Sequence, residues 1–520
     1  MASISTLILC LGLATYTLLY TLLRLTQSAN EPPAIQTSIP FISPIFGMLS
    51  GMQKFSVRMR DKYGLPIYTL RLPGQRMYIV NSLPLIQLLQ REIKTVAFAP
   101  IEAQAAATVM GVGPAGNAII GSEKMFESDS YLSTFIPSTH PALSPGLGLD
   151  ALNGTAIKYI ADSLKHFHSQ GPEVIELFSW IWDRIFMATT EAIYGPRNPF
   201  KDLALQKAWY DFEPWIVVHM LKLWPSVLAP KSLYARDKLL IPSLEKYFSE
   251  HGHQQGSLLV QCRYKHNTEH GLRGRDVAAT EIGQMTAAVT NSVASAFWLV
   301  YHIFSNPHIL KECQQEVDGL VQMDQHGVNT VDLAHVKSSC PVLLSTWQET
   351  LRYNHIGVSA RVVMRDFILD NKYLLKKGAT VMSCMPVQHS DPALWGETAR
   401  EYDHRRFIRT PGSKRKTTAA AFRSFGGGSM LCPGRHFVST EVMAFAALLL
   451  LQFELKPEGS VDGKWSDPRK SLPMTTSIPT PKDRLLVKLV PRDSTREWRV
   501  EFSGSSKGFS MVAEDVDNTS

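Results

Sequence analysis

The chain has 520 residues, of which 45% are hydrophobic and 19% charged. That balance excludes a disordered polypeptide and leaves enough apolar side chain for a sizeable core. With 53 Lys and Arg against 46 Asp and Glu, the net charge is +7. This excess is too thinly spread to mark a nucleic-acid-binding protein, and it suits a basic face for an acidic protein partner. Length alone suggests about three domains, yet no internal linker divides the chain.

The first element is an apolar, uncharged run from Ser3 to Leu23, ended by Arg24. About 20 such residues cross a bilayer as one helix, so residues 1–24 are expected to form a transmembrane anchor. A cleaved signal peptide is the alternative; no basic leader or small-residue cleavage site supports it. Arg24 places the body on the cytosolic side by the positive-inside rule. Residues 25–50 carry Pro32, Pro33, Pro40 and Pro44 and are expected to be a non-helical, semi-rigid linker.

Residues 51–502 form the expected catalytic body. Two β-rich runs, 67–72 and 76–81, flank Pro73-Gly74 and predict a hairpin. Helical periodicity dominates thereafter. The longest helix is expected over 277–304, stopped by Asn306-Pro307. Others are expected over 343–352 and 435–453. The last residues, 503–520, are small and polar and are expected to be a disordered tail. The fold class is therefore mainly α with small β-sheets (α+β).

Six cysteines stand at positions 10, 262, 313, 340, 384 and 432, with no CxxC pair. They give no sign of a zinc site or a disulfide framework, and five read as small buried hydrophobes. Cys432 differs. It closes the run Phe425-Gly426-Gly427-Gly428-Ser429-Met430-Leu431-Cys432-Pro433-Gly434-Arg435. Consecutive glycines let a backbone take unusual dihedrals and approach a flat ligand. A helix expected to start near Pro433 would favour a thiolate at Cys432, which can bind iron. In isolation the same run also reads as a glycine turn with an incidental cysteine.

Glu349 and Arg352 lie three apart in a helical run and share one face. Their apolar neighbours Leu343, Leu344, Trp347 and Leu351 make that helix a buried one. A buried pair needs further partners, and Arg406 is the candidate.

Taken in order, these features resemble the cytochrome P450 family, nearest to its sterol 7-alpha/12-alpha-hydroxylase and prostacyclin synthase branch. The resemblance covers most of the chain, from the anchor through Glu349-x-x-Arg352 and Arg406-Phe407 to Phe425-x-x-Gly428-x-x-x-Cys432-x-Gly434. It implies a P450 fold binding haem (heme b) with Cys432 as the axial metal ligand and Phe425, Gly428 and Gly434 shaping the cofactor loop. It implies Glu349, Arg352 and Arg406 as a structural triad and Arg361 as a propionate contact. It further implies a membrane-bound NADPH-cytochrome P450 reductase as partner, a lipophilic substrate, and residence in the endoplasmic reticulum membrane. The basic residues Arg405, Arg409, Lys414, Arg415 and Lys416 read equally as a reductase-docking face or as a solvated loop.

Two positions depart from the family pattern. Met430 stands where a basic propionate contact is usual, which removes one charge-assisted bond. In the long helix, Thr290-Asn291-Ser292 replaces the usual acid-threonine pair. Asn291 can donate and accept but cannot act as an acid; a frame shift of one would put Thr290 in the threonine role. Thr290, Asn291 and Ser292 are the expected oxygen-side residues. Residues 103–112, 215–224, 354–358 and 475–478 are mostly apolar and are expected to contribute to a pocket for a large lipophilic molecule. Trp215, Met220, Leu221 and Trp224 read as core in preference to a membrane-facing surface.

The expected activity is oxidation of a steroid, terpenoid or similar molecule with O2 and NADPH-derived electrons. Two rivals remain at this level: a reductase-independent isomerase of a peroxide, and a non-catalytic haem-binding membrane protein.

Overall fold

The computed structural model describes residues 4–35, 37–49, 51–408, 419–460, 462–472, 476–504 and 512. They are mainly helical with small sheets and divide into two compact units.

The first unit comprises residues 1–101, 355–400 and 426–431. Its N-terminal helix, Ile4–Thr26, has 23 residues, none of them buried. At about 1.5 Å per residue it exceeds the ~30 Å hydrocarbon core of a bilayer. Its C-terminal end is fastened to the hairpin that follows. Arg71 Nη2 donates to Thr26 Oγ1 at 3.0 Å and Arg76 Nη2 to Thr26 O at 2.8 Å.

The hairpin pairs Ile67–Leu72 with Gln75–Val80 in antiparallel register, Leu72 opposite Gln75. Gly74 sits between them at φ 68°, a conformation that glycine adopts without penalty. Strands Thr380–Cys384, Val358–Val363 and Val96–Ala97 complete a five-stranded sheet. Alternation sorts its faces: Tyr78, Val80 and Val381 join one core, Met77, Ile79 and Met382 the other.

The stretch expected to be non-helical departs from that reading. Ser43–Leu49 is a short helix, because Pro44 falls in its first turn, where the missing N–H costs nothing. Upstream of it, Glu31 and Ile35 are buried, and Ile35 N donates to Thr69 O at 3.3 Å. This segment is folded onto the hairpin.

The second unit comprises residues 102–354, 401–425 and 432–520. Its axis is the helix Gly274–Phe304, 31 residues long. It is apolar enough to pass for a membrane span but lies mostly in the interior. Leu147–Gln170, Leu177–Tyr194, Pro341–Asn354 and Arg435–Gln452 are the other long helices around this core. Trp298 anchors the axis, its indole donating to Pro479 O at 2.7 Å. A buried ion pair joins Arg263 to Glu281 at 2.5 Å, and Tyr194 Oη donates to the same carboxylate at 2.9 Å.

Two three-stranded sheets flank the helices. One pairs Phe453–Pro457, Leu486–Pro491 and Glu173–Glu176. The other pairs Trp498–Glu501, Asn329–Asp332 and Val321–Met323. Most of the expected tail, 505–511 and 513–520, lies outside the described residues.

Candidate active site

The cysteine loop is built by backbone geometry. In the first unit, Gly426 has φ 83°, and a Cβ there would sit 2.5 Å from Met430 O; no other residue fits. Gly428 opens the single turn Gly428–Met430, and Gln90 Nε2 donates to Gly427 O at 2.7 Å. In the second unit, Cys432 N donates to Phe425 O at 2.8 Å, while the Phe425 side chain is buried. The helix begins at Arg435, where it was expected, with Gly434 as its N-cap.

Cys313, Cys340 and Cys384 are buried, Cys10 is exposed, and Cys262 and Cys432 keep part of their surface open. Burial pushes the Cys313 thiol up to about 12 and the Cys384 thiol up to about 11. At Cys432 burial also raises the thiol, but the backbone N–H groups of Gly434 and Arg435 and the Arg435 charge oppose it. Those donors lie at a helix start, where free N–H groups stabilise an anion. The partly open sulfur with converging donors fits an axial thiolate.

Arg361, in the first unit, supplies a second test of fit. Its side chain is 6% exposed, and its guanidinium reaches only Leu89 O at 3.4 Å and Val96 O at 3.5 Å. Among the described residues no carboxylate pairs with it, and burial lowers its pKa with no opposing charge. A buried, uncompensated cation is costly. It fits an anionic group supplied from outside the polypeptide, such as a propionate.

Glu349, Arg352 and Arg406 converge in the second unit, all buried. Arg352 donates from Nε and Nη2 to both Glu349 oxygens at 2.7 Å. Arg406 Nε contacts the same oxygens at 3.1 and 3.2 Å. Asp403 N donates to Glu349 Oε1 at 2.9 Å, and both arginines reach Glu401 O. Sequence reasoning could find the pair by its spacing, but not the carbonyl of Glu401.

The central helix presents the oxygen-side candidates. It is buried continuously over residues 292–301, whereas Ala287 is exposed and Thr286, Ala288, Thr290 and Asn291 are half-buried. One face of the helix is therefore open to a ligand. Asn291 Oδ1 accepts from Ser477 N at 2.8 Å and Ile478 N at 3.3 Å, which leaves donation as the chemistry its amide can offer. Ser292 Oγ returns to Ala288 O at 2.8 Å within its own helix. Thr290 Oγ1 donates to the carboxyl of Glu213, a residue that nothing in the linear sequence singled out.

Two surface expectations change. Trp215, Leu221 and Trp224 are not core: they are 41%, 52% and 78% exposed, with Met220 half-buried, because this segment carries an apolar face that no described residue covers. Arg405 is committed to Glu312, with contacts of 2.9 and 2.8 Å. Arg409, Lys414, Arg415, Lys416 and Thr475 lie outside the described residues.

The glycine-rich cysteine loop with its partly open thiol fits a haem-thiolate protein. A cytochrome P450 family model matches residues 235–486. Over 515 residues the chain is 32% identical to the cytochrome P450 monooxygenase nodJ of Hypoxylon pulicicidum, covering 96% of this chain and 98% of that one. It is 27% identical to a cytochrome P450 monooxygenase of Gibberella zeae over 92% of each. Cholesterol 7-alpha-monooxygenase of Cricetulus griseus is 27% identical over 221 residues, 39% of this chain and 43% of its own length. The chain belongs to the cytochrome P450 family and is a mono-oxygenase. Its cofactor is haem b bound through a cysteine thiolate. Neither the peroxide isomerase nor the non-catalytic reading is favoured.

Proposed function

We propose that the protein inserts oxygen into a large lipophilic molecule of the steroid or terpenoid kind, with electrons from a membrane-bound NADPH-cytochrome P450 reductase. Cys432 is the iron ligand, set by the Phe425, Gly428 and Gly434 loop, and Arg361 holds a propionate that Met430 cannot. Glu349, Arg352 and Arg406 fix the chain behind that loop. The helix Ile4–Thr26 anchors the chain in the endoplasmic reticulum membrane, residues 25–50 link it, and 51–502 form the cytosolic catalytic domain.

Haem b supplies the binding and reductive activation of dioxygen. The protein's own residues do the rest. Thr290 and Asn291, half-buried on the open face of the central helix, offer hydroxyl and amide donors, and Ser292 lies beside them. Ala287 and Ala288 on the same open face give a substrate apolar contact, so few polar groups orient it.

The observation that carries this reading is Cys432, the partly open thiol on which the Gly434 and Arg435 N–H groups converge. The test is spectroscopy of the purified holoprotein. Cys432→Ser should abolish the thiolate-type band of the reduced carbon monoxide complex, and an unchanged band would sink the assignment. Titration with a panel of steroids and terpenoids should give water-displacement difference spectra; a response confined to small polar molecules would overturn the substrate class.

A further inference from the structure

Mono-oxygenation consumes one O2, two electrons and two protons, places one oxygen in the product and releases the other as water. The protons need a route. Between Glu281 and His302 the central helix carries no carboxylate and no histidine. Glu281 is held by Arg263 and Tyr194. His302 is half-buried, stacked 4.0 Å from Tyr402 and bonded to Asn354. The helix itself therefore has no acid to spare at its open face.

We propose that Glu213 stores the distal-side protons and passes them on through Thr290, taking in space the place of the acid absent from the central helix. Glu213 opens the turn Glu213–Trp215, directly after the helix Leu203–Phe212. Its carboxyl accepts from Thr290 Oγ1, one residue before Asn291 and on the half-open face of the helix.

Among the described residues no fixed cation holds Glu213 as a carboxylate. The charged groups on the elements around it are engaged elsewhere: Lys207 with Asp211 at 2.6 Å, His219 with Ser232 Oγ at 2.9 Å, and Arg236 with Asp237 and the carbonyls of Thr108 and Val109. Burial pushes the Glu213 pKa up, opposed by Thr290 and the Trp209 indole. The indole N–H falls short of good hydrogen-bond geometry, so among the described residues Thr290 is its one close donor. A carboxyl in these surroundings holds a proton nearer the working pH than a solvated glutamate does, as a general acid requires.

The step balances as a relay. For the relay the contact runs the other way: with Glu213 protonated, its Oε–H donates to Thr290 Oγ1 and the threonine hydroxyl turns toward the site. The Glu213 Oε–H bond then breaks as an O–H bond forms on Thr290 Oγ1, and the proton originally on Thr290 leaves toward the oxygen being reduced. One proton has moved and Glu213 is left as a carboxylate, which recovers its proton from water. Two passes supply both protons, and the electrons come from the redox partner. Glu213 acts through Thr290 and is a positioning residue in that sense.

This inference rests on haem bound at Cys432, and the experiment separates the two. The full-length holoprotein in phosphatidylcholine vesicles, with NADPH and reductase but no substrate, partitions consumed O2 between water and hydrogen peroxide. Glu213→Gln and Thr290→Val should each lower the water-to-peroxide ratio roughly tenfold and flatten its pH profile, and Glu213→Asp should restore part of it. Independently of turnover, infrared spectra of the resting protein should show a carboxylic-acid band that shifts in D2O, titrates above the usual glutamate range, and vanishes in Glu213→Gln. An unchanged ratio and pH profile in Glu213→Gln, or no such band, would overturn the proposal. The thiolate-type carbon monoxide band should persist in all three variants; its absence from the parent would overturn the cysteine assignment and this inference with it.

Discussion

Arg352 grips Glu349 through two parallel contacts of 2.7 Å, and both side chains are almost completely shielded from water. Such a pair contributes little net stability by existing, but breaking it leaves a buried charge uncompensated, at about 3–5 kcal/mol. Glu349→Gln should therefore yield chain with little retained haem and a strongly lowered unfolding temperature. Arg352→Lys should do nearly the same, because an ammonium cannot reproduce the two-pronged geometry. Haem content per chain and thermal unfolding read both; a fully loaded Arg352→Lys protein with parental stability would refute the argument.

Arg361 predicts opposite effects with and without cofactor. Its guanidinium is buried with only two long carbonyl contacts, so without haem its charge is a liability. Arg361→Leu should leave the haem-free protein as stable as the parent or more so. The same change should weaken haem binding about tenfold or more, the worth of a charge-assisted hydrogen bond. Haem transfer to a scavenging apoprotein and denaturant unfolding of the haem-free form measure the two halves separately.

What the sequence disclosed and what it hid divide along sequence distance. The hairpin at Pro73-Gly74, the long central helix and the cysteine loop are local patterns, each written by turn residues or by periodicity. Glu349 and Arg352 were legible for the same reason, being one helical turn apart. Glu213 meets Thr290 across 77 positions and Asn291 meets Ser477 across 186, and no local rule reports such pairs. The stretch 215–224 was misread because an exposed apolar face has the same composition as a buried one. Pro44 misled because proline forbids the helix interior but suits its first turn.

Asn291 has a structural load as well as a proposed chemical one. Its Oδ1 is the acceptor for two backbone donors, Ser477 N and Ile478 N. Asn291→Ala leaves both without that partner, at about 1–3 kcal/mol for each that water cannot reach. Hydrogen exchange at residues 477 and 478 should accelerate, with loosening toward Pro479, whose carbonyl holds the Trp298 indole. Asn291→Asp keeps an oxygen acceptor and should preserve the protection. If exchange is unchanged in Asn291→Ala, these contacts do not set the local order of the segment.

Glu441 lies on the helix that follows the cysteine loop and is completely buried. Its Oε1 accepts from Thr189 Oγ1 at 2.8 Å, and its Oε2 has no partner among the described residues. Burial pushes its pKa up to about 8. The group is thus protonated in the folded chain at neutral pH and ionised in the unfolded one. Because the folded value is the higher, stability is greatest below the ordinary glutamate range and declines as pH rises from there to about 8. The decline should be on the order of a few kcal/mol. Glu441→Gln keeps an acceptor for Thr189 and cannot ionise, so it should remove this slope and leave the variant the more stable near pH 8. Denaturant midpoints measured across that window decide it: parallel curves for parent and variant would show that Glu441 does not titrate there.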